Sequence, residues 1–463
     1  IYHVAVTHFD GADDDTPDPL GDLAAGLNQI FSLFGAGAGG PGAAGLAGLG
    51  GALGSPNWEQ ARQSAAALAT QGHSDANVDP LVRMQYEQLA RVAELQVARV
   101  TGLSLTRSGA ALAVTPVNRS QFARDTVDDY RPLFEKLADS LGRMMTAQMG
   151  QIDATDLEEM TQFLPPGFNV DLSAIMAQAS SFIGPMMLVT LAGSTAGQLG
   201  SRAFGSYDLP IPRHRSDEVL IVATALDEFG QEWSLPLDDL RLYVCISEMA
   251  MHAVLSVPHV AARLEELLAA HADGFEADPE AIQRNFGDLD DFDDFDPADP
   301  ESLAELQGSL LNPEMMLNAI RSDQQRALVP QIDALVSVLI GYVDWVVDTI
   351  ATTMLSSHDM VAEAFRRRRV EAGEASRFIE RLFGLQLTRE NCALGSAFID
   401  GVVQRAGTDA LSTLWRSVDD LPTPNELELP GLWLARVGIG DDDQELPALD
   451  ESFEVPDFPD FEA

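Results

Sequence analysis

From Trp58 onward, apolar residues recur at three- and four-residue intervals, the spacing that lines one face of an α-helix. The pattern predicts a long helix over Val82–Val100, one or two more over Asn118–Met149, and another over Asp171–Phe204. In the last of these, Gly193, Ala196, Gly197 and Gly200 form a small-residue face suited to close packing. A helix is predicted over Asp238–Leu255 and a core helix over Gln331–Leu355, with Ile332, Leu335, Val336, Leu339, Ile340, Val343, Val347 and Ile350 on one face. Arg366 to Arg369 follow on the next helix. Four adjacent residues point all around a helix, so this run reads as a solvated face rather than a nucleic-acid patch.

The texture changes between Tyr207 and Ser234. Two prolines make Tyr207-Asp208-Leu209-Pro210-Ile211-Pro212 extended, and Glu218 to Ala223 reads as a short buried strand. The fold class expected is therefore mainly α with a minor β element. Residues 1–57 read as a flexible tail, acidic at Asp13 to Asp15 and rich in Gly and Ala over 35–54, with one short amphipathic helical piece between Leu20 and Phe34. An acidic loop at 286–301 interrupts the helical domain, 58–437. A second acidic disordered tail, 438–463, carries Phe453, Phe458 and Phe461.

Composition narrows the classes of function. The chain of 463 residues has a formal net charge of −44, which opposes any grip on nucleic-acid phosphates or on an anionic membrane surface. Much of that charge sits in the tails and the acidic loop. Cys245 and Cys392 belong to no CxxC motif, so neither a disulfide framework nor a thiolate zinc site is expected. Residues 1–9 lack the basic start of a secretory signal. The apolar run 334–355 carries Asp344 and Asp348, which would be costly in lipid. A cytoplasmic location and no membrane partner are the expectation.

The helix around Glu248 reads Leu242-Tyr243-Val244-Cys245-Ile246-Ser247-Glu248-Met249-Ala250-Met251-His252. Other landmarks are Val117-Asn118-Arg119 with Phe122, Tyr207-Asp208-Leu209-Pro210, Gly341-Tyr342-Val343-Asp344, and Leu421-Pro422-Thr423-Pro424-Asn425-Glu426-Leu427 followed by Trp433 and Arg436. In this order they resemble the actinobacterial zincin-like hydrolases, also called zinicin-like metallopeptidase type 2, whose relatives are associated with deazaflavin-cofactor biosynthesis. The resemblance covers roughly Trp58 to Val437. It implies a helical zincin-like metallopeptidase fold and a zinc-dependent hydrolase or peptidase activity.

A helical HExxH motif works because residues four apart share a face and two imidazoles can reach one Zn²⁺, while the glutamate activates the bound water. The resemblance puts the two histidine positions at Ser247 and Met251, the general base at Glu248, and the third ligand at Ile340. A hydroxyl and a thioether are poor zinc ligands, and isoleucine coordinates nothing. Glu248 is thus the one catalytic position retained, and no cofactor is expected. His252, His259 and Asp344 are the candidates for a displaced metal site, with zinc as its metal; Pro258 weakens that geometry by bending the helix. Ser247 as a nucleophile has only Glu248 and His252 nearby, and adjacent residues do not face each other on a helix. The function expected is an inactive zinc-metallopeptidase homologue that acts by binding or scaffolding, with a protein or peptide partner. The alternatives are an active hydrolase with a rearranged metal site, and a subunit supporting an intact paralogue or another copy of itself.

Overall fold

A computed structural model describes residues 56–106, 108–109, 111–149, 188–213, 217–275, 322–371 and 373–439. The two tails, the acidic loop and the helical prediction over 171–187 lie outside the described residues. Helices dominate. In chain order they are α1 (Trp58–Ala69), α2 (Pro80–Thr101), α3 (Arg119–Asp129), α4 (Arg131–Met149), a helical segment at 188–202, α5 (Ala223–Glu232), α6 (Leu237–Leu255) and α7 (Pro258–Asp273). They continue with α8 (Asp323–Met354), α9 (His358–Val370), α10 (Glu374–Leu382), α11 (Arg389–Ala406), and the short α12 (Pro424–Glu428) and α13 (Pro430–Arg436).

Local chemistry explains several boundaries. Asp79 caps α2 by accepting from Leu81 N–H, Pro80 fits the first turn, and Gly102 ends the helix with φ +65°. The prediction over Asn118–Met149 resolves into two helices, the first capped by the Asn118 side chain on Gln121 N–H. The α8 helix starts two turns before the predicted Gln331. Ser322 and Gln325 form a reciprocal capping box, and Pro330 lies on the exposed side of the turn that follows. A proline inside a helix costs about 3 kcal/mol, which the cap and the long apolar face beyond it offset.

Glu218–Val222 forms a strand, β2, as expected. Its partner, β1 (Ala113–Val117), runs parallel to it in the register Ala113↔Glu218 to Val117↔Val222. Sequence reasoning used Val117 only as a landmark and missed this strand, because five residues with a proline give little alternation. The free edge of β2 takes the extended segment 203–213: Val222 N–H donates to Phe204 O, Ser206 N–H to Leu220 O, and Leu220 N–H to Ser206 Oγ. This segment therefore runs across the buried helix α6.

Small residues set the helix spacing. A Cβ on Gly197 would stand 2.6 Å from Leu68 Cβ, and one on Gly200 would stand 2.8 Å from Ala123 Cβ, so the small face of 188–202 packs on α1 and α3 as predicted. The closest crossing is α8 on α11, where a Cβ on Gly395 would lie 1.9 Å from Ser337 O and one on Gly341 2.4 Å from Gly395 backbone. The α8 helix is long and apolar enough to cross a membrane by composition, but 83% of its apolar window is buried within this fold. It is the core helix that the spacing predicted.

The Gly341–Gly395 contact fixes where α8 presents Ile340. Gly395→Ala must push the two helices apart and is expected to destabilise the fold by about 3 kcal/mol or more. Denaturant unfolding of the variant, with circular dichroism as readout, checks this; unchanged stability would show that the crossing is loose.

Candidate functional site

The α6 helix is buried along its length from Leu240 to Leu255, so every polar group it carries there needs a partner or a cavity. Glu248 has one of each. Its Oε2 accepts from Tyr207 N–H at 2.8 Å, and its carboxyl presses against the bare Cα of Gly205, where a Cβ would come within 2.4 Å of Cδ. The carboxyl also faces a cavity of about 40 Å³, room for a few water molecules. Burial pushes the Glu248 carboxyl up to about 8, against the opposing effect of the Tyr207 N–H bond.

Ser247, Met251 and Ile340 line the same cavity. The three positions that the resemblance assigns to metal ligands therefore converge with the general-base position, although α6 and α8 are about 90 residues apart in sequence. A dry cluster does not replace the site, because Arg202, Asp208, Arg368 and Arg369 share its walls.

The candidate displaced ligands are engaged or lie elsewhere. His252 Nδ1 and the Tyr207 hydroxyl form a 2.7 Å hydrogen bond. Arg369 holds Asp344 with two bonds, at 2.9 and 3.0 Å. The chain bends by 87° between α6 and α7, and Pro258 opens the new helix, so His259 belongs to α7 rather than extending the α6 face. Among the described residues, no group of three or more His, Cys, Asp and Glu side chains is arranged to hold a metal ion.

The arginines are the feature that sequence reasoning misread. Of the predicted solvated run, Arg367 does reach Glu371 at the surface, but Arg368 and Arg369 turn inward. The Arg368 guanidinium lies 3.6 Å above the Phe204 ring, donates to Asp208 at 3.0 Å and also donates to Arg202 O. Arg202 meets the other oxygen of Asp208 at 2.9 Å. Burial by itself would raise the Asp208 carboxyl, but the two guanidiniums outweigh it and hold the group at about 2. Nearby, Glu380 is pushed up to about 7 by burial, with Arg202 3.9 Å away and its own Oε1 without a hydrogen-bond partner. Arg213 completes the layer, donating to Asp129 at 2.8 Å and to Ser206 O at 2.6 Å. The signal available in the sequence was the Tyr207-Asp208 landmark, an acid in a proline-stiffened segment. Nothing in the sequence pairs it with Arg202 or Arg368.

The two raised carboxyls have a consequence for stability. A carboxyl whose folded value lies above its unfolded one favours folding fully below the unfolded value, about 4.5, and loses that contribution as pH rises through the folded value. Stability should thus fall between about pH 4.5 and pH 8 from Glu248, with Glu380 adding to the lower part of that window. Glu248→Gln removes its share of the slope, so the variant gains on the wild type as pH rises from 5 to 8. Urea midpoints across that range check it, and parallel curves would mean that Glu248 is ionised throughout.

Comparison with known proteins bears on the family and the fold. The model of a family described as zincin-like metallopeptidase matches residues 57–434. A crystal structure described as a putative hydrolase with a novel fold, from Chloroflexus aurantiacus, superposes with a TM-score of 0.50 at 21% identity, covering 83% of this chain and 99% of that one. That likeness concerns the fold. No curated protein matches. The match across most of the sequence, over the residues that build the cavity, makes the chain a member of the zincin-like metallopeptidase family.

Proposed function

We propose that this protein is a non-catalytic member of its family, which acts by binding a protein or peptide partner at the cavity in front of Glu248. One observation carries the reading: Ser247, Met251 and Ile340, the positions that the family resemblance assigns to metal ligands, line one cavity with Glu248. A metal is implied by the family, and these side chains do not fit one. A hydroxyl, a thioether and a branched alkane supply no set of strong zinc donors. The neighbouring donors are committed: His252 bonds to Tyr207, and Asp344 to Arg369.

With no metal beside it, burial raises the Glu248 carboxyl to about 8 and favours its protonated form, which can donate a hydrogen bond. The wall opposite is built from arginines, which favour recognition of acceptor groups.

Elemental analysis of protein purified without added zinc is expected to find only substoichiometric zinc, and added zinc should leave the thermal unfolding midpoint unchanged. About one tightly held zinc per chain, the number that a catalytic zincin site requires, would overturn the proposal. So would a chelator-sensitive peptidase activity that disappears in Glu248→Ala. Either result would establish the alternative, an active hydrolase with a rearranged metal site.

A further inference from the structure

The cavity's walls also indicate what chemistry it recognises. Three guanidiniums line it, from Arg202, Arg368 and Arg369, against one lining carboxylate, Asp208, and the Glu248 carboxyl. Asp344 lies behind the wall and neutralises Arg369 through two hydrogen bonds. Asp208 is shared between Arg202 and Arg368, and the Glu380 carboxyl also stands 3.9 Å from Arg202. The outer arginines are also the way in. The Arg202 and Arg368 side chains keep 25% and 21% of their surface in contact with solvent, while Glu248 is 4% exposed and Met251 5%. Ser247 and Glu248, both buried, line the same cavity as these guanidiniums.

We infer that the cavity is a carboxylate-binding site, in which Arg202 and Arg368 hold the incoming carboxylate and the Ser247 hydroxyl donates to it. The inference rests on the proposed non-catalytic reading, since a metal in the cavity would take the same space. The volume, about 40 Å³, admits a carboxylate group but little beyond it, so the remainder of the ligand stays outside the arginine mouth. A planar anion suits the planar fork of arginine, which forms parallel hydrogen bonds with both carboxylate oxygens. Apolar surface from Phe365, Val343, Ile340 and Leu387 lies beside these donors, and it lowers the local dielectric and strengthens their hold. Two sources supply such a group: a free small acid, or the C-terminal carboxylate of a peptide chain.

Thermal unfolding of the full chain tests the inference. Acetate and the free-acid tripeptide Ala-Ala-Ala are each compared with chloride at equal ionic strength, and the tripeptide is compared with its C-terminal amide. Binding to the folded state alone raises the midpoint, here by roughly 2 °C at saturating ligand. Stabilisation by acetate alone assigns a free acid. Stabilisation by the tripeptide acid but not its amide assigns a chain terminus. The Arg202→Gln variant should lose the shift. Ser247→Leu, which fills the inner end of the cavity without removing an ion pair, should lose it as well. Arg143→Gln, at an exposed ion pair with Asp273 remote from these residues in the chain, should keep it. No shift with either acid in the wild type, or an unaltered shift in Ser247→Leu, overturns the inference. Zinc content measured on the same preparation separates the two failures: metal-free protein that ignores carboxylates sinks this inference alone, whereas stoichiometric zinc sinks the non-catalytic reading beneath it.

Discussion

The site depends on one buried ion cluster, Asp208 held between Arg202 and Arg368. Asp208 keeps only 6% of its side chain exposed, and a carboxylate at that depth is stable only with its partners in place. The cluster joins three pieces of chain: the end of the helical segment 188–202, the extended segment 203–213 and the end of α9. Removing one member of such a cluster typically costs 3–5 kcal/mol, because the others are left charged and unpaired. Its position matters more than its net energy. With Asp208 fixed, Tyr207 presents its backbone N–H to Glu248 and its hydroxyl to His252, two residues on the helix beneath. Gly205, two residues before Tyr207, then has to be a glycine, since any Cβ would occupy the space of the Glu248 carboxyl.

The fold was largely legible in the sequence because it is built from helices whose apolar faces repeat over many turns. The 3.6-residue period of α8 needed no other information, and the small-residue stripe of 188–202 announced a close helix contact that the structure contains. The resemblance to a family motif at Ser247, Glu248 and Met251 pointed to residues that line one cavity in the structure. The electrostatics around the site were not. Arg366 to Arg369 look in sequence like any charged run on a surface helix, and what turns Arg368 and Arg369 inward is Asp208 on a distant loop and Asp344 on α8. Ion pairs across 25 or 160 residues leave no periodic trace. β1 went unseen for a related reason: a five-residue strand is specified by its partner β2 and not by its own pattern.

The scaffold around the ligand positions has the precision of a functional site. The Gly341–Gly395 crossing brings α8 to within backbone contact of α11 and so sets the depth at which Ile340 enters the cavity. A core that had simply filled the space would put large apolar side chains against one another and leave no void. Here Ile340, Met251 and Glu248 line a cavity of about 40 Å³, and polar groups complete its wall. Two buried carboxyls within electrostatic reach of Asp208 are raised, Glu248 to about 8 and Glu380 to about 7, and such groups gather where a protein uses them.

The charge around the cavity connects the missing ligands to the proposed role. Bringing a dication to the Glu248 carboxyl would place it near the guanidiniums of Arg202 and Arg368, which Asp208, and Glu380 at 3.9 Å from Arg202, offset in part. Histidines and a glutamate at 247, 251 and 340 would be needed to overcome that repulsion. Without them the balance reverses, and the same arginines lower the energy of any anion that reaches the inner end. Ionised Glu248 would be one such anion, but burial opposes its ionisation more strongly than the arginines favour it. Burial favours the protonated carboxyl, which leaves the guanidiniums of Arg202 and Arg368, sharing Asp208 between them, to meet a ligand's carboxylate.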